Sequence, residues 1–305
     1  MAFRSAVKLA AAAALAFSLA ACSSAGQSTA ESSEPLKVLA PAGAPALATL
    51  GLPEDAQIEY VDGQDVLVSE LAKKDGDYDL IFAPINVGVK SWEGSKTYKL
   101  DGVVTWGNLY LVGEEGTDPA SADKIAAFGE TAVPGLVYAT LYPENLEKTT
   151  WYPAVSEASQ ALLSGQEPAA LLAQPAAAAA IAKGKEAGKN LTVLSDVQAD
   201  WQAKEGSSQK GYPQAAVFVK ESSVERSKEA LKAMEDFLKD PTDETLTEAI
   251  DKVTAEKLGV PNTQIAVKTW KAQNIHYEPA ESVKGDIESF LAKFSIAVPE
   301  DIYVK

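Results

Sequence analysis

Apolar positions along this chain switch repeatedly between short continuous runs and stretches in which they recur every three or four residues. The run "LKVLAPAGAPALATL" (residues 36–50) passes from a short apolar strand, through a loop with Gly and Pro, into an apolar helical stretch. "DKIAAFGETAVPGLVYATL" (123–141) repeats that order. "ELAKKDGDYDLIFAPINVGVK" (70–90) and "ALLSGQEPAALLAQPAAAAAIAK" (161–183) form a second matching pair: helix end, turn, buried strand, proline, helix. The spacing is similar too, since Pro45 and Pro84 are 39 positions apart and Pro134 and Pro175 are 41 apart. Each half therefore reads as a β-α-β-α module with a mostly parallel sheet flanked by helices, and the expected fold class is α/β with two lobes.

Between the modules lies "VVTWGNLYLVGEEG" (103–116), two strand-like pieces joined by Gly107 and Asn108. The pattern predicts a strand leaving the first lobe for the second, a crossover in place of a hairpin. A return crossover is expected in "GYPQAAVFVK" (211–220). These place lobe 1 at 35–109 and 214–305 and lobe 2 at 110–213, with hinge segments at 108–113 and 212–219. The remainder is helical. "SSVERSKEALKAMEDFLKD" has Ser222 and Glu225 at capping-box spacing and Val224, Leu231, Met234 and Leu238 on one face. "DPTDETLTEAIDKVTAEKLG" is expected to start at Asp240 and Pro241 and stop at Gly259, with Leu246, Ile250 and Val253 on one stripe. Val283, Ile287, Phe290 and Phe294 mark a last helix. All three are expected to pack back on lobe 1.

The N-terminus changes the setting. "MAFRSAVKLAAAAALAFSLAAC" carries Arg4 and Lys8, then an apolar stretch too short to span a bilayer, then small residues before a cysteine. Residues 1–21 read as a secretory leader. The run ending at Cys22 resembles a bacterial lipobox, which implies lipidation of Cys22 and an extracytoplasmic protein anchored to the cell membrane. Residues 22–34 are small and polar and read as a flexible tether. Cys22 is the one cysteine, which removes disulfide, thiol and Cys-metal chemistry. The formal charge is −16; without 1–21, 25 basic residues face 43 acidic ones, a balance of −18. Nucleic acid is excluded as a partner by that charge.

In open α/β sheets ligands sit beyond the carboxyl ends of the strands. That rule selects four loops, 41–45, 84–86, 129–134 and 174–175, whose free backbone N–H groups are expected to line a shared cleft. The candidate ligand-binding residues are Gly43, Ala44, Pro84, Ile85, Asn86, Thr105, Trp106, Asn108, Gly129, Thr131, Gln174 and Tyr212. Pro84, Asn86 and Thr131 serve equally as turn and cap residues, and Trp106 equally as core. Past the leader the one arginine is Arg226, in a predicted surface helix, so a bidentate clamp on an acidic ligand is not expected. Uncharged hydrogen-bonding groups and an aromatic wall suit a small neutral heterocycle, such as a pyrimidine or vitamin-like ring. No cofactor or metal is implied, and no catalytic residues. There is no Gly-x-Ser-x-Gly elbow, Walker loop or His-Glu-x-x-His run; the single histidine, His276, lies outside the four loops, and Asp77 and Asp79 read as a turn.

Taken in order, the lipobox, "LKVLAPAGAP", "DYDLIFAPINVGVK", "TWGNLYLVG", "KIAAFGETAVPG", "ALLSGQEPAALLAQP" and "YPQAAVFVK" resemble the substrate-binding lipoproteins of ABC importers, with the type II periplasmic-binding-protein fold and nearest to the nitrate, taurine and thiamine-precursor group. The resemblance covers most of the mature chain. It implies a monomer that captures a small molecule between its lobes by hinge closure and delivers it to an ABC permease. That family often has an acidic residue before the proline of "LLAQP"; Gln174 stands there instead, which argues against a cationic ligand. An enzyme on the same fold and a ligand-sensing lipoprotein remain the other readings.

Overall fold

The computed structural model describes residues 34–305. The expected leader, Cys22 and the tether up to residue 33 lie outside the described residues.

β1 (Lys37–Pro41) and β3 (Leu80–Pro84) each bury a continuous apolar run, because both faces of the sheet are covered. Around them come α1 (Ala44–Ala48), β2 (Gln57–Val61), α2 (Asp65–Leu71), α3 (Ile85–Ser95) and β4 (Tyr98–Thr105). The chain then crosses over. β5 (Leu109–Glu114) belongs to a second sheet with β6 (Ile125–Phe128), β7 (Thr149–Tyr152), β8 (Ala169–Ala173) and β9 (Leu191–Asp196). Their helices are α4 (Val133–Leu141), α5 (Val155–Ser164), α6 (Ala176–Glu186) and α7 (Val197–Glu205). β10 (Ala215–Lys220) returns to the first sheet and is followed by α8 (Val224–Lys239), α9 (Asp243–Val253), α10 (Thr263–Thr269), β11 (Ile275–Pro279) and α11 (Lys284–Ala292).

The repeat read from the sequence is a repeat of topology. The first sheet runs β11-β4-β10-β3-β1-β2 and the second β9-β5-β8-β6-β7. In each, a central strand pairs in parallel with two neighbours, β1 with β2 and β3, β6 with β7 and β8. In each, the strand beyond is antiparallel to both of its partners, β10 against β3 and β4, β5 against β8 and β9. That antiparallel strand arrives from the other half of the chain. Each sheet therefore has a crossover strand inside it, hydrogen-bonded on both edges, which ties the two halves by main-chain bonds. One apolar cluster also spans both sheets, holding Leu39, Ile81, Ile85, Trp106 and Phe218 together with Leu109, Ile125, Tyr138 and Tyr212.

The helical C-terminal part departs from expectation at its ends. Ser222 and Glu225 form no capping box; Ser223 is the residue before α8, and its hydroxyl donates to Asp79 (2.6 Å). α9 starts after Thr242, whose hydroxyl accepts from the Thr245 N–H, two residues later than Asp240 predicts. It ends at Val253, where Thr254 takes φ 90°, well before Gly259. The buried stripes hold: Leu231, Met234 and Leu238 of α8 and Leu246 and Ile250 of α9 cover one face of the first sheet. α11 does more than pack on lobe 1. Its Phe290 meets Trp201 of α7, and the nearby Lys293 pairs with Glu205 (2.7 Å). No helix among the described residues is long and apolar enough to cross a membrane.

Candidate functional site

The two crossovers meet at Trp106, Gly107 and Asn108 on one side and Gly211 to Gln214 on the other. Tyr212 N–H donates to the Trp106 carbonyl (3.2 Å) and Gln214 N–H to the Thr105 carbonyl (2.9 Å). Gly211 sits at φ 106°, and a Cβ there would lie 1.8 Å from the Trp106 oxygen, so only glycine permits this approach. A third segment locks the pair. Asn274, in the left-handed region at φ 52°, donates through Nδ2 to the carbonyls of Trp106 and of Lys210, both at 2.7 Å. Its own carbonyl accepts the Trp106 N–H (3.0 Å).

From this junction two of the four loops are reached directly. Gln214 accepts the N–H of Ile85 (3.1 Å), which brings Pro84, Ile85 and Asn86 to the return crossover. Asn108 exchanges bonds with Gln174, donating through Nδ2 to its carbonyl (3.0 Å) and accepting its N–H (2.9 Å). The Gln174 side chain turns to its own helix, Oε1 accepting from Ala178 N–H (3.3 Å). The other two loops have partners of their own. Gly43 donates to the Leu258 carbonyl (2.8 Å), with Ala44 buried behind it, and Gly129 donates to Tyr152 (3.3 Å). Thr131 is exposed, and Ala132 is the residue at the start of α4, so Thr131 does not cap that helix. Asn86 lies inside α3, with Pro84 before it, and is no cap either. The N–H groups of Gly43, Ile85, Gly129 and Gln174 are thus spent on protein carbonyls.

Side-chain groups are unspent as well. Five buried polar atoms at the junction have no hydrogen-bond partner: Asn86 Oδ1, Trp106 Nε1, Asn108 Oδ1, the Tyr212 hydroxyl and Gln214 Oε1. A buried polar group without a partner costs about 1–3 kcal/mol, and five of the twelve such atoms among the described residues belong to the segments that meet at this junction. None of the five is charged. Thr105 is different, because its hydroxyl already accepts from Ala215 N–H (3.0 Å). Of these residues Gln214 had no place in the sequence reading. A polar side chain directly before the apolar run of β10 was the available signal.

Trp106 is fully buried, its indole stacked on His276 with centroids 5.5 Å apart and planes at 12°. Burial pushes His276 down to about 4, so the imidazole is neutral at pH 7. His276 stands on β11, far from the four loops in sequence, and is brought in because β11 pairs with β4. Tyr212 is stacked on Phe290 (5.5 Å, 16°) and edge-on to Trp201 (5.3 Å, 60°), and burial raises its phenol well above the ordinary value. Arg226 is committed elsewhere: it pairs with Asp79 (3.2 Å) and donates to the Glu34 carbonyl (2.7 Å). Asp79 also receives Lys37 N–H and the Ser223 hydroxyl, which makes it a structural tie among β1, β3 and α8. No His, Cys, Asp and Glu group among the described residues is arranged to hold a metal ion.

No protein-family model matches the sequence, and no curated protein matches it. Solved structures do. The chain is similar to an ABC transporter protein from Parabacteroides distasonis, with a TM-score of 0.70 at 19% identity over 88% of this chain and 95% of that one. It is similar to the periplasmic aliphatic sulphonate binding protein SsuA of Escherichia coli, with a TM-score of 0.63 at 14% identity over 89% and 92%. The ligand-binding component of an ABC-type import system from Staphylococcus aureus, solved with zinc bound, gives 0.58 at 13% identity over 89% and 96%. At these identities the likeness is one of fold, and the described residues have the two-lobed type II periplasmic-binding-protein fold.

Proposed function

We propose that this chain is an extracytoplasmic solute-binding protein, lipid-anchored through Cys22, that captures a small uncharged polar molecule between its lobes and delivers it to an ABC permease. The observation that carries the reading is the set of five buried, unpartnered, uncharged polar atoms where the crossovers meet. An indole N–H, a phenol hydroxyl and three side-chain amide oxygens offer both donors and acceptors. A neutral ring with edge donors and acceptors, such as a pyrimidine or vitamin-like heterocycle, satisfies such a set; a carboxylate or phosphate brings a charge that no arginine is free to meet. The fold shared with binding components of import systems supports the capture role.

In this reading residues 35–109 with 214–305 and residues 110–213 are the moving lobes, and the chain works as a monomer. The solute stabilises the closed arrangement by its differential contact with both, and the closed form is what the permease engages. The test is to purify the chain natively, denature it and identify any released molecule by mass spectrometry. A thermal-shift series of pyrimidines, vitamins, amino acids and inorganic anions accompanies it. A neutral ring compound that is released, or that raises the melting temperature, is the expected outcome; stabilisation by anions alone overturns the ligand class.

A further inference from the structure

On the far border of the first sheet β2 is an edge strand: it pairs with β1 and, among the described residues, with nothing on its other side. Strand alternation decides which of its groups are free. Gln57 N–H donates to the Leu36 carbonyl and Val61 O accepts from Ala42 N–H, so Gln57, Glu59 and Val61 face β1. Ile58 and Tyr60 therefore turn their N–H and C=O groups outward. A cavity of about 1040 Å³ opens on one side of this edge, floored by Leu50, Ile58, Phe237 and Val253. A second of about 350 Å³ opens on the other, with Lys37, Asp77 and Tyr78 in its wall; the two cavities share Ile58 and Glu59.

An added strand would place its side chains alternately in these two cavities, as period-two geometry requires. The rims set the sign of what fits. The larger cavity is walled by Glu54, Glu59, Asp62, Glu248 and Glu256 against Lys252 and Lys257, and Lys252 is already paired with Glu54 (2.6 Å). The strand itself carries neither Lys nor Pro, the residues that guard exposed edges. A second copy of the chain, at a formal charge of −16, is repelled. The chain's own residues 9–33 contain no Lys or Arg and so cannot complement the rims.

We propose that the outer edge of β2 binds an extended, basic segment of a partner protein by strand addition, with Lys or Arg residues entering the larger cavity, their methylene stems over the Phe237 floor and their charged ends at Asp62 and Glu248, and the alternate apolar residues turned to the smaller cavity. The surface is separate from the crossover junction, so it stands whatever solute the junction takes. The probe is an acetylated eight-residue peptide of alternating Lys and Val, with two controls: Glu in place of Lys, and the Lys peptide N-methylated at every second amide. Hydrogen exchange of the full chain is read with each. The Lys peptide is expected to slow exchange at Ile58 and Tyr60, and both controls to leave it unchanged. Asp62→Lys with Glu248→Lys, both exposed rim positions of the larger cavity, is expected to weaken peptide binding by about tenfold or more. Protection elsewhere without protection at Ile58 and Tyr60, equal effects of the N-methylated peptide, an unaltered affinity in the double variant, or dimerisation through β2 in analytical ultracentrifugation would each overturn the proposal.

Discussion

The indole of Trp106 lies flat on the imidazole of His276, which fixes the ring while leaving Nε1 without a partner. Packing and hydrogen bonding by this residue are thus separable. Trp106→Phe keeps most of the buried volume and the stacked face but removes the donor. We expect thermal stability to fall by no more than about 2 kcal/mol, whereas affinity for the co-purified solute falls about tenfold or more, the loss of one buried hydrogen bond. Calorimetric titration beside denaturant unfolding separates the two; an unchanged affinity assigns Trp106 to packing alone.

His276 makes stability depend on pH in a direction that burial dictates. Burial holds its folded-state value at about 4, below the ordinary imidazole value of 6.5, so between these limits the unfolded chain binds a proton that the folded chain refuses. The contribution is fully present above pH 6.5 and is lost as pH falls toward 4, by about 3 kcal/mol in total. His276→Phe retains a stacked ring without titration. The difference in unfolding free energy between wild type and variant, in which the carboxylates common to both cancel, is expected to shift by about 2–3 kcal/mol between pH 7 and pH 4. A pH-independent difference would show that the imidazole titrates normally.

The crossovers were legible because the strand-like run "TWGNLYLV" stands at the boundary between the two modules. The repeat was legible through proline spacing, since each proline stands at the end of a buried strand or at the start of the helix after it. Contacts set by long-range pairing were not. Asn274 reaches Trp106 across 168 positions, and His276 only because β11 docks on β4. Local signals also lost to tertiary ones. The Ser223 hydroxyl goes to Asp79 and no capping box forms at α8, and the N–H groups at the loop ends go to the carbonyls of Leu258, Gln214, Tyr152 and Asn108. A sequence window contains none of those partners.

Asn274 carries two separable loads, a left-handed backbone and two bonds to the crossovers. Asn274→Ala removes both bonds and adds the strain of a Cβ residue at φ 52°, a loss of about 2–4 kcal/mol. Asn274→Gly relieves the backbone while still lacking the bonds, so it is expected to lose less than Ala by about 1 kcal/mol. Urea unfolding gives both numbers. If Gly is as damaging as Ala, the hydrogen bonds carry the whole effect.

Phe290 couples the C-terminal helix to the return crossover, and its rings are arranged so that area and geometry can be told apart. It stacks on Tyr212 at 5.5 Å, and meets Trp201 at 5.6 Å and Phe294 at 5.4 Å edge-on. Phe290→Ala empties the space between α11, α7 and the crossover and is expected to cost about 3–5 kcal/mol. Phe290→Leu keeps most of the apolar volume but loses the aromatic contacts, each worth about 0.5–1.5 kcal/mol, so an intermediate loss is expected. Because Tyr212 N–H is bonded to Trp106 O, loosening the stack should also quicken amide exchange at Tyr212 more than at β6 in the second sheet. Uniform quickening across both sheets would mean that Phe290 supports the fold as a whole without any special hold on the crossover.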